Sequence, residues 1–302
     1  MKAKDAGALL VLSALWGGSF FFIRIAVPVL GPVVLMELRV LVAGIALLLY
    51  SLALRRNLDV RKRWRQYLII GIINSALPFT LIATAELHLT VGLAAILNAT
   101  SPLFGAIVAA LWIKEALTRM KVIGLLLGLV GVGVVVGWNP LPFSVTLVLS
   151  SAASLAAAAC YGLAGVYIKV SMQGSNPGAV ATCSQLGAAM CLFPVIFVVP
   201  AQHLPSLPVI LAVATLALVC TAFAYLIYFS LIETVGPTKA LTVTFLAPAF
   251  GVLWGVIFLS EALTLSTILG FGVILLGTGF VTGVVRFRFP DRDKLLEQQQ
   301  SL

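Results

Sequence analysis

The stretch PLFGAIVAALWIKEALT, residues 102–118, returns as PAFGVLWGVIFLSEALT, residues 248–264. Pro102-Leu103-Phe104-Gly105 meets Pro248-Ala249-Phe250-Gly251, and Glu115-Ala116-Leu117-Thr118 meets Glu261-Ala262-Leu263-Thr264, at an offset of 146 residues. Working outward, Gly124, Gly131, Gly133 and Gly137 meet Gly270, Gly277, Gly279 and Gly283 at the same offset. Upstream, Trp16-Gly17 through Ile23-Arg24 meets Tyr161-Gly162 through Ile168-Lys169 at an offset of 145. Self-similarity at one period over most of each half marks an internal duplication. The expected organisation is a first repeat over 1–140, a second over 141–286 and a tail over 287–302.

Neither copy could face water. Of 302 residues 61% are hydrophobic and 10% charged, with a mean hydropathy of +1.14, against roughly 25% charged in a soluble domain. Lipid must therefore be part of the solvent. Spans of about 20 apolar residues are predicted near 5–27, 33–54, 66–86, 91–113, 119–138, 146–170, 177–199, 208–230, 238–259 and 264–285. Breakers stand between several of them, at Pro28 to Pro32, Asn139 to Pro142, Asn176 to Gly178, Pro200 to Pro208 and Gly236-Pro237. The ten-residue alternation of a membrane barrel is missing, so the fold class is all-α integral membrane. The first run is too long for a signal-peptide core and reads as a permanent helix.

Orientation follows from Lys and Arg, which favour the cytosolic side. With the N-terminus inside, seventeen of the nineteen basic residues fall on that side. Arg24 and Arg39 remain, both within spans. An even span count puts both termini in the cytosol. Five is odd, so the second copy must enter the membrane inverted. Lys114-Glu-Ala-Leu-Thr-Arg-Met-Lys121 is basic and inside, whereas its counterpart Ser260-Glu-Ala-Leu-Thr-Leu-Ser266 has no Lys or Arg and falls outside. Inverted repeats frame alternating-access carriers, with the substrate site near the midplane.

The net charge of +9 does not point to nucleic acid, because the basic residues sit in short loops between apolar runs. Cys160, Cys183, Cys191 and Cys220 lie inside apolar runs without metal-ligand spacing. No Walker A, HExxH or DxxD pattern occurs. ATP hydrolysis, metalloproteolysis and magnesium-dependent prenyl transfer thus lack their residues, and no cofactor or metal is expected.

Trp16-Gly17-Gly18-Ser19, the paired Pro102/Glu115 and Pro248/Glu261 segments, and the glycine-rich fifth span of each half resemble the EamA-type drug/metabolite transporter superfamily over nearly the whole chain. Among its branches the chain is similar to bacterial ten-helix amino-acid and metabolite exporters, including the aromatic amino acid exporter group. That resemblance implies export across the inner membrane through a central cavity lined by spans one, three, four, six, eight and nine. The small four-helix pumps of the superfamily carry a glutamate in their first helix. Here the first span has no carboxylate beyond Asp5 and its repeat has none, which argues against a copied proton-coupling mechanism.

Several side chains are candidates for the substrate site. Trp16, Ser19 and Phe20 share a helical face by their i, i+3, i+4 spacing and pair with Tyr161, Ala164 and Gly165. Such residues serve an aromatic cavity wall or plain packing. Asn74 and Pro78 lie one turn apart, as do Thr221 and Tyr225 at the corresponding depth, and Asn98 and Pro102 match Thr244 and Pro248. A proline there leaves a carbonyl without its helical donor, tolerable beside protein or a water-lined cavity. Arg24, Glu37, Arg39 and Glu86 are expected towards the outer ends of spans one to three, as an ion-paired cluster, a gate, or a dock for a substrate carboxylate on Arg24 or Arg39. Glu115 and Glu261 read as caps or hinges. Gly124xxxGly128, Gly133xxxGly137, Gly251xxxGly255 and Gly279xxxGly283 allow close helix approach; monomer and homodimer both stay open.

The sequence thus predicts a secondary carrier exporting small amphipathic metabolites, foremost amino acids with large apolar side chains, embedded in the lipid bilayer. A multidrug, nucleoside or other metabolite efflux carrier and a lipid-precursor flippase are the alternatives. The flippase is disfavoured because no basic residue is expected at the midplane.

Overall fold

The computed structural model describes residues 2–138, 144–201, 203–240 and 242–285. The Asn139 to Pro142 breaker, the basic residues Arg286, Arg288, Arg292 and Lys294, and the tail lie outside them. Nine apolar helical stretches account for most of the described residues: α1 Ala3–Ala53, α2 Val60–Glu86, α3 Val91–Trp112, α4 Arg119–Gly137, α5 Val145–Ser171, α6 Pro177–Phe197, α7 Leu207–Val235, α8 Val243–Leu259 and α9 Leu265–Thr282. Eight are long and apolar enough to cross a bilayer, and α8 is shorter. Among the described residues there is no strand.

The two first predicted spans are joined in α1, a 51-residue stretch that bends at Gly31, where φ is 74° and ψ 160°. Gly31 precedes Pro32, which disfavours helical geometry at the residue before it, and only glycine takes a positive φ there without strain. The predicted span over 238–259 is likewise interrupted. A short turn, Pro237–Ala240, stands apart from α8. Elsewhere hydroxyls and amides set the helix starts. Thr90, Thr118, Ser144 and Thr264 each accept the backbone N–H three residues on, and Asn176 accepts from Gly178 at 2.8 Å.

Glycines set the tightest crossings. A methyl group at Gly17 of α1 would overlap the Ala247 carbonyl of α8, and one at Gly162 of α5 would lie 2.5 Å from the Gly105 amide of α3. These two crossings exchange under the offset, since Gly17 corresponds to Gly162 and Gly105 to Gly251. Helices α4 and α9 meet twice, Gly124 against Gly277 and Gly131 against Gly270, and these contacts exchange in the same way. The rising number on α4 meets the falling number on α9, so the two run antiparallel. Gly133 and Gly137 face open space instead, which removes that GxxxG from packing within the chain. The largest core cluster joins Ile23, Val27, Leu35 and Met36 of α1 to Ala83 of α2, Ala188 of α6 and Leu216 of α7. Leu126, Leu129 and Val130 of α4 point outward, like Leu265, Ile268 and Leu269 of α9.

Candidate functional site

A polar cluster lies where α1, α2, α5, α6 and α7 meet. Arg39 is 6% exposed; its Nε donates to Thr221 Oγ1 at 3.0 Å, and its guanidinium stacks 3.8 Å above the Phe79 ring. The fully buried Gln185 donates from Nε2 to Ser75 Oγ at 3.1 Å and to the Tyr225 hydroxyl at 3.4 Å. Asn74 faces the same hydroxyl. Two further rings close the cluster, Trp16 at 6.3 Å from Tyr225 and Tyr161 at 6.4 Å from Phe79.

Apart from that of Asn74, whose counterpart is Cys220, these contacts are one set written twice. At an offset of 146, Arg39 corresponds to Gln185, Ser75 to Thr221, and Phe79 to Tyr225. Trp16 corresponds to Tyr161 at 145. The bond from Arg39 to Thr221 is therefore the counterpart of that from Gln185 to Ser75, each reaching into the opposite half. The Arg39–Phe79, Gln185–Tyr225, Trp16–Tyr225 and Tyr161–Phe79 contacts exchange likewise.

The local backbone explains the placement. Ser75 lies in a π-helical segment of α2, Ile72–Ala76, and Thr221 in one of α7, Thr215–Phe223. A π turn inserts a residue, rotates the side chains beyond it and recurs at functional sites. In α2 the wide turn ends just before Pro78, which has no N–H to give. Against the offset of 146, the match of Asn74/Pro78 with Thr221/Tyr225 is one residue out of step. Ser75 and Phe79 are the structural counterparts.

The remaining candidates divide. Ser19 returns its hydroxyl to the Trp16 carbonyl at 2.6 Å, while Phe20 is buried in the core beside Gly251. Ala164 is fully buried, and Gly165 faces open space. Asn98 stands at the end of the first segment of α3, with its Oδ1 buried and unpartnered. Pro102 begins the second segment, so it starts a helix rather than kinking one. Its counterpart Pro248 is inside α8, with Thr244 in the first turn.

The expected ion-paired cluster does not form. Arg24 donates to the backbone carbonyls of Glu86 and Leu89, and the carboxylate oxygens of Glu37 and Glu86 are buried without hydrogen bonds. Among the described residues, the ion pairs join Glu115 to Lys121 at 2.6 Å and to Lys169 at 3.4 Å. Arg39 also sits deeper than expected. Its partner Thr221 is the fifteenth residue of the 29-residue α7, because a long side chain carries its head well away from its own Cα.

Glu261 is a cap supplied across the repeat. Its Oε1 accepts from Val91 N–H at 2.6 Å and its Oε2 from Gly92 N–H at 2.9 Å, satisfying first-turn donors of α3 that have no partner within the helix. Glu115 stands beyond the other end of α3, where the hydrogen-bonded Lys121 ammonium holds its carboxyl below the usual range, with Lys169 adding to the effect.

A hollow of about 410 Å³ between α4 and α5 is lined by Leu129, Val132, Val136, Val148 and Leu155 among others. It contains none of the candidate residues, and its apolar walls suit lipid. In the polar cluster Arg39, Ser75, Phe79, Gln185 and Thr221 are buried, whereas Trp16, Asn74, Tyr161 and Tyr225 are partly exposed.

The family model of EamA-like transporters matches residues 6–137 and again 149–283. The chain belongs to the EamA-like transporter family. Like other members, it is a multi-pass membrane transporter. It is 30% identical over 290 residues to the uncharacterized inner membrane transporter YedA of Escherichia coli K12, covering 94% of this chain and 92% of that one. The uncharacterized transporter YvbV of Bacillus subtilis is 27% identical over 282 residues, 91% of this chain and 90% of its own. Protein PecM of Dickeya dadantii is 24% identical over 306 residues, 99% and 98% of the two chains. The family name and the names of YedA and YvbV are those of transporters, not enzymes. A solved crystal structure matches with a TM-score of 0.66 over 94% of this chain and 98% of that one, at 19% identity, which speaks to the fold alone.

Sequence reasoning missed Gln185, Ser75 and Phe79. Gln185 gave a usable signal, as a glutamine in the middle of an apolar span at the repeat position of Arg39.

Proposed function

We propose that this chain is a secondary carrier exporting small amphipathic metabolites, foremost aromatic and other large apolar amino acids, by alternating access. Ten crossings form two inverted five-helix repeats, 1–140 and 141–286, with both termini in the cytosol of a cell whose inner membrane holds the protein. Counting α1 as two crossings either side of Gly31, and α8 as one, gives ten.

The observation that carries the reading is the exchange of contacts around a single polar centre. Each half sends a polar side chain to a hydroxyl of the other, and each half presents two rings to the same centre. Such an arrangement has two equivalent ways to tilt, one opening each face, which is what alternating access requires. Rocking occurs about the Trp16/Tyr161 level. The Glu261 cap ties the loop of the second half to α3 of the first, so that end opens only when the cap is released. Aromatic rings on both sides suit a flat or apolar substrate group.

Reconstituted protein is expected to give saturable uptake of labelled phenylalanine or tryptophan into proteoliposomes. Flux no greater than that of empty vesicles overturns the substrate reading. Trp16→Ala and Tyr161→Ala are expected to reduce flux without lowering membrane abundance; equal loss of abundance returns both rings to packing. Arg39 at mid-depth is a feature that a carrier of lipid phosphates would share, so inhibition by an anionic lipid head group, with no response to amino acids, favours the flippase reading.

A further inference from the structure

The two halves of the polar cluster match in shape and differ in charge. Ser75 and Thr221 are both hydroxyls, Phe79 and Tyr225 both rings, Trp16 and Tyr161 both rings. Only at Arg39 and Gln185 does one half carry a fixed cation and the other a neutral amide. We propose that this pair forms the two poles of a zwitterion site, with Arg39 receiving the carboxylate of an α-amino acid and Gln185 Oε1 receiving its ammonium. The proposal rests on the carrier reading above.

Each pole has unused capacity. A guanidinium offers five N–H donors and favours planar, bidentate partners such as carboxylate. Among the described residues the hydrogen bond of Arg39 runs from Nε to Thr221, and no carboxylate comes within ion-pairing distance of it. Glu86 acts on Arg39 through space, but neither it nor Glu37 accepts a hydrogen bond from any side chain, so the guanidinium N–H groups are not taken up by a carboxylate. A charge so deep in an apolar bundle is costly unless paired, and the Phe79 face offsets only part of that cost. At the other pole, Gln185 uses its amide nitrogen twice, whereas Oε1 is buried and accepts nothing. Buried acceptors without partners are rare and call for an explanation.

The arrangement also explains why the symmetry is broken here. A site with two identical poles would hold a symmetric ligand in either direction. One cation and one open carbonyl oxygen impose a direction, carboxylate towards Arg39 and ammonium towards Gln185. The side chain of the substrate then lies among the rings.

The test uses the full-length protein, purified in detergent, with thermal stabilisation titrated by three probes. Phenylalanine carries both groups, phenethylamine lacks the carboxylate, and 3-phenylpropionate lacks the ammonium. Wild type is expected to bind phenylalanine at least about tenfold more tightly than either analogue, because a site built for a polar group discriminates strongly against its loss. Arg39→Gln is expected to bind phenylalanine and phenethylamine alike, a change in selectivity that general loss of folding does not produce. Gln185→Leu is expected to bind phenylalanine and 3-phenylpropionate alike. Should Arg39→Gln fail to accumulate, Arg39→Lys serves in its place, with weaker binding but a retained preference for phenylalanine over phenethylamine. Unchanged discrimination in Arg39→Gln, or its loss in Arg39→Lys, overturns the assignment while leaving the carrier reading intact. No stabilisation of wild type by any of the three probes overturns both the site and the amino-acid reading.

Discussion

Two loops at opposite ends of α3 share a backbone and differ in what their glutamates hold. In the first, Lys114 takes a φ of 56° and Glu115 N–H returns to the Ala109 carbonyl at 3.2 Å. In the second, Ser260 takes a φ of 54° and Glu261 N–H returns to the Gly255 carbonyl at 3.1 Å. Thr118 and Thr264 then cap the next helix at 3.3 and 3.2 Å. Yet Glu261 caps α3 of the other half, and Glu115 lies among lysines. The duplicated sequence fixes the local turn, whereas the partner of each carboxylate depends on which neighbouring helix end is within reach. The two turns thus share a backbone conformation and differ in their surroundings.

The most severe test of the equivalence of the two halves is at the crossings. Gly17→Leu and Gly162→Leu each force a side chain into the backbone of a packed helix, and both are expected to abolish accumulation of folded protein. Gly165→Ala, with open space before it, is expected to leave abundance unchanged. Fluorescence size-exclusion profiles of the three variants check this, and a normal profile for either leucine variant breaks the equivalence.

The next largest effect belongs to Glu261→Ala. Removing two charge-assisted bonds from buried backbone donors costs on the order of 3 kcal/mol, read as a lower melting temperature. Glu261→Gln, which keeps one acceptor, is expected to retain part of the loss. A silent Glu261→Ala would mean that the cap contributes nothing to the state described here.

Smaller and equal effects are expected at the two left-handed positions. Lys114→Gly and Ser260→Gly each relieve a strained backbone, offset by added chain entropy, for a net gain on the order of 0.5 kcal/mol. A gain at one position alone would show that the turns are less alike than their dihedrals.

Least affected is Glu115→Gln. An exposed ion pair contributes roughly 0 to 1 kcal/mol and is screened by salt. Because the folded carboxyl is held below its ordinary range, any contribution is present above the unfolded pKa and disappears as pH falls through the folded value. Melting curves of wild type and Glu115→Gln are therefore expected to converge on acidification and to differ most near neutrality. Divergence at low pH would contradict the ion pairs.

Much of this was legible in the sequence. The duplication, the helical class and the breakers at Pro28 to Pro32 were plain from spacing and hydropathy, because lipid demands long apolar runs and turns need residues that stop helices. Trp16, Tyr161, Asn74, Thr221, Tyr225 and Arg39 are brought together as candidates of one region. Pairing Asn74 and Pro78 with Thr221 and Tyr225 departed by one residue from the offset of 146 and so passed over Ser75 and Phe79. The rest turned on features that spacing does not encode. The reach of the Arg39 side chain placed its head deeper than its sequence position suggests. Ion pairing among Arg24, Glu37, Arg39 and Glu86 was expected from their shared place near the outer ends of spans one to three, but Arg24 donates to backbone carbonyls and Arg39 to Thr221.

The Glu261 cap also sets an order of events during synthesis. Val91 and its capping oxygen are 170 residues apart in the chain, a gap a ribosome takes roughly 10 to 30 s to cross at typical elongation rates. For that interval the Val91 and Gly92 amides lack the acceptor they have in the finished fold, while Thr90 can already hold Leu93. The amino-terminal half thus emerges as an unfinished object, whose completion is supplied by the half still being translated.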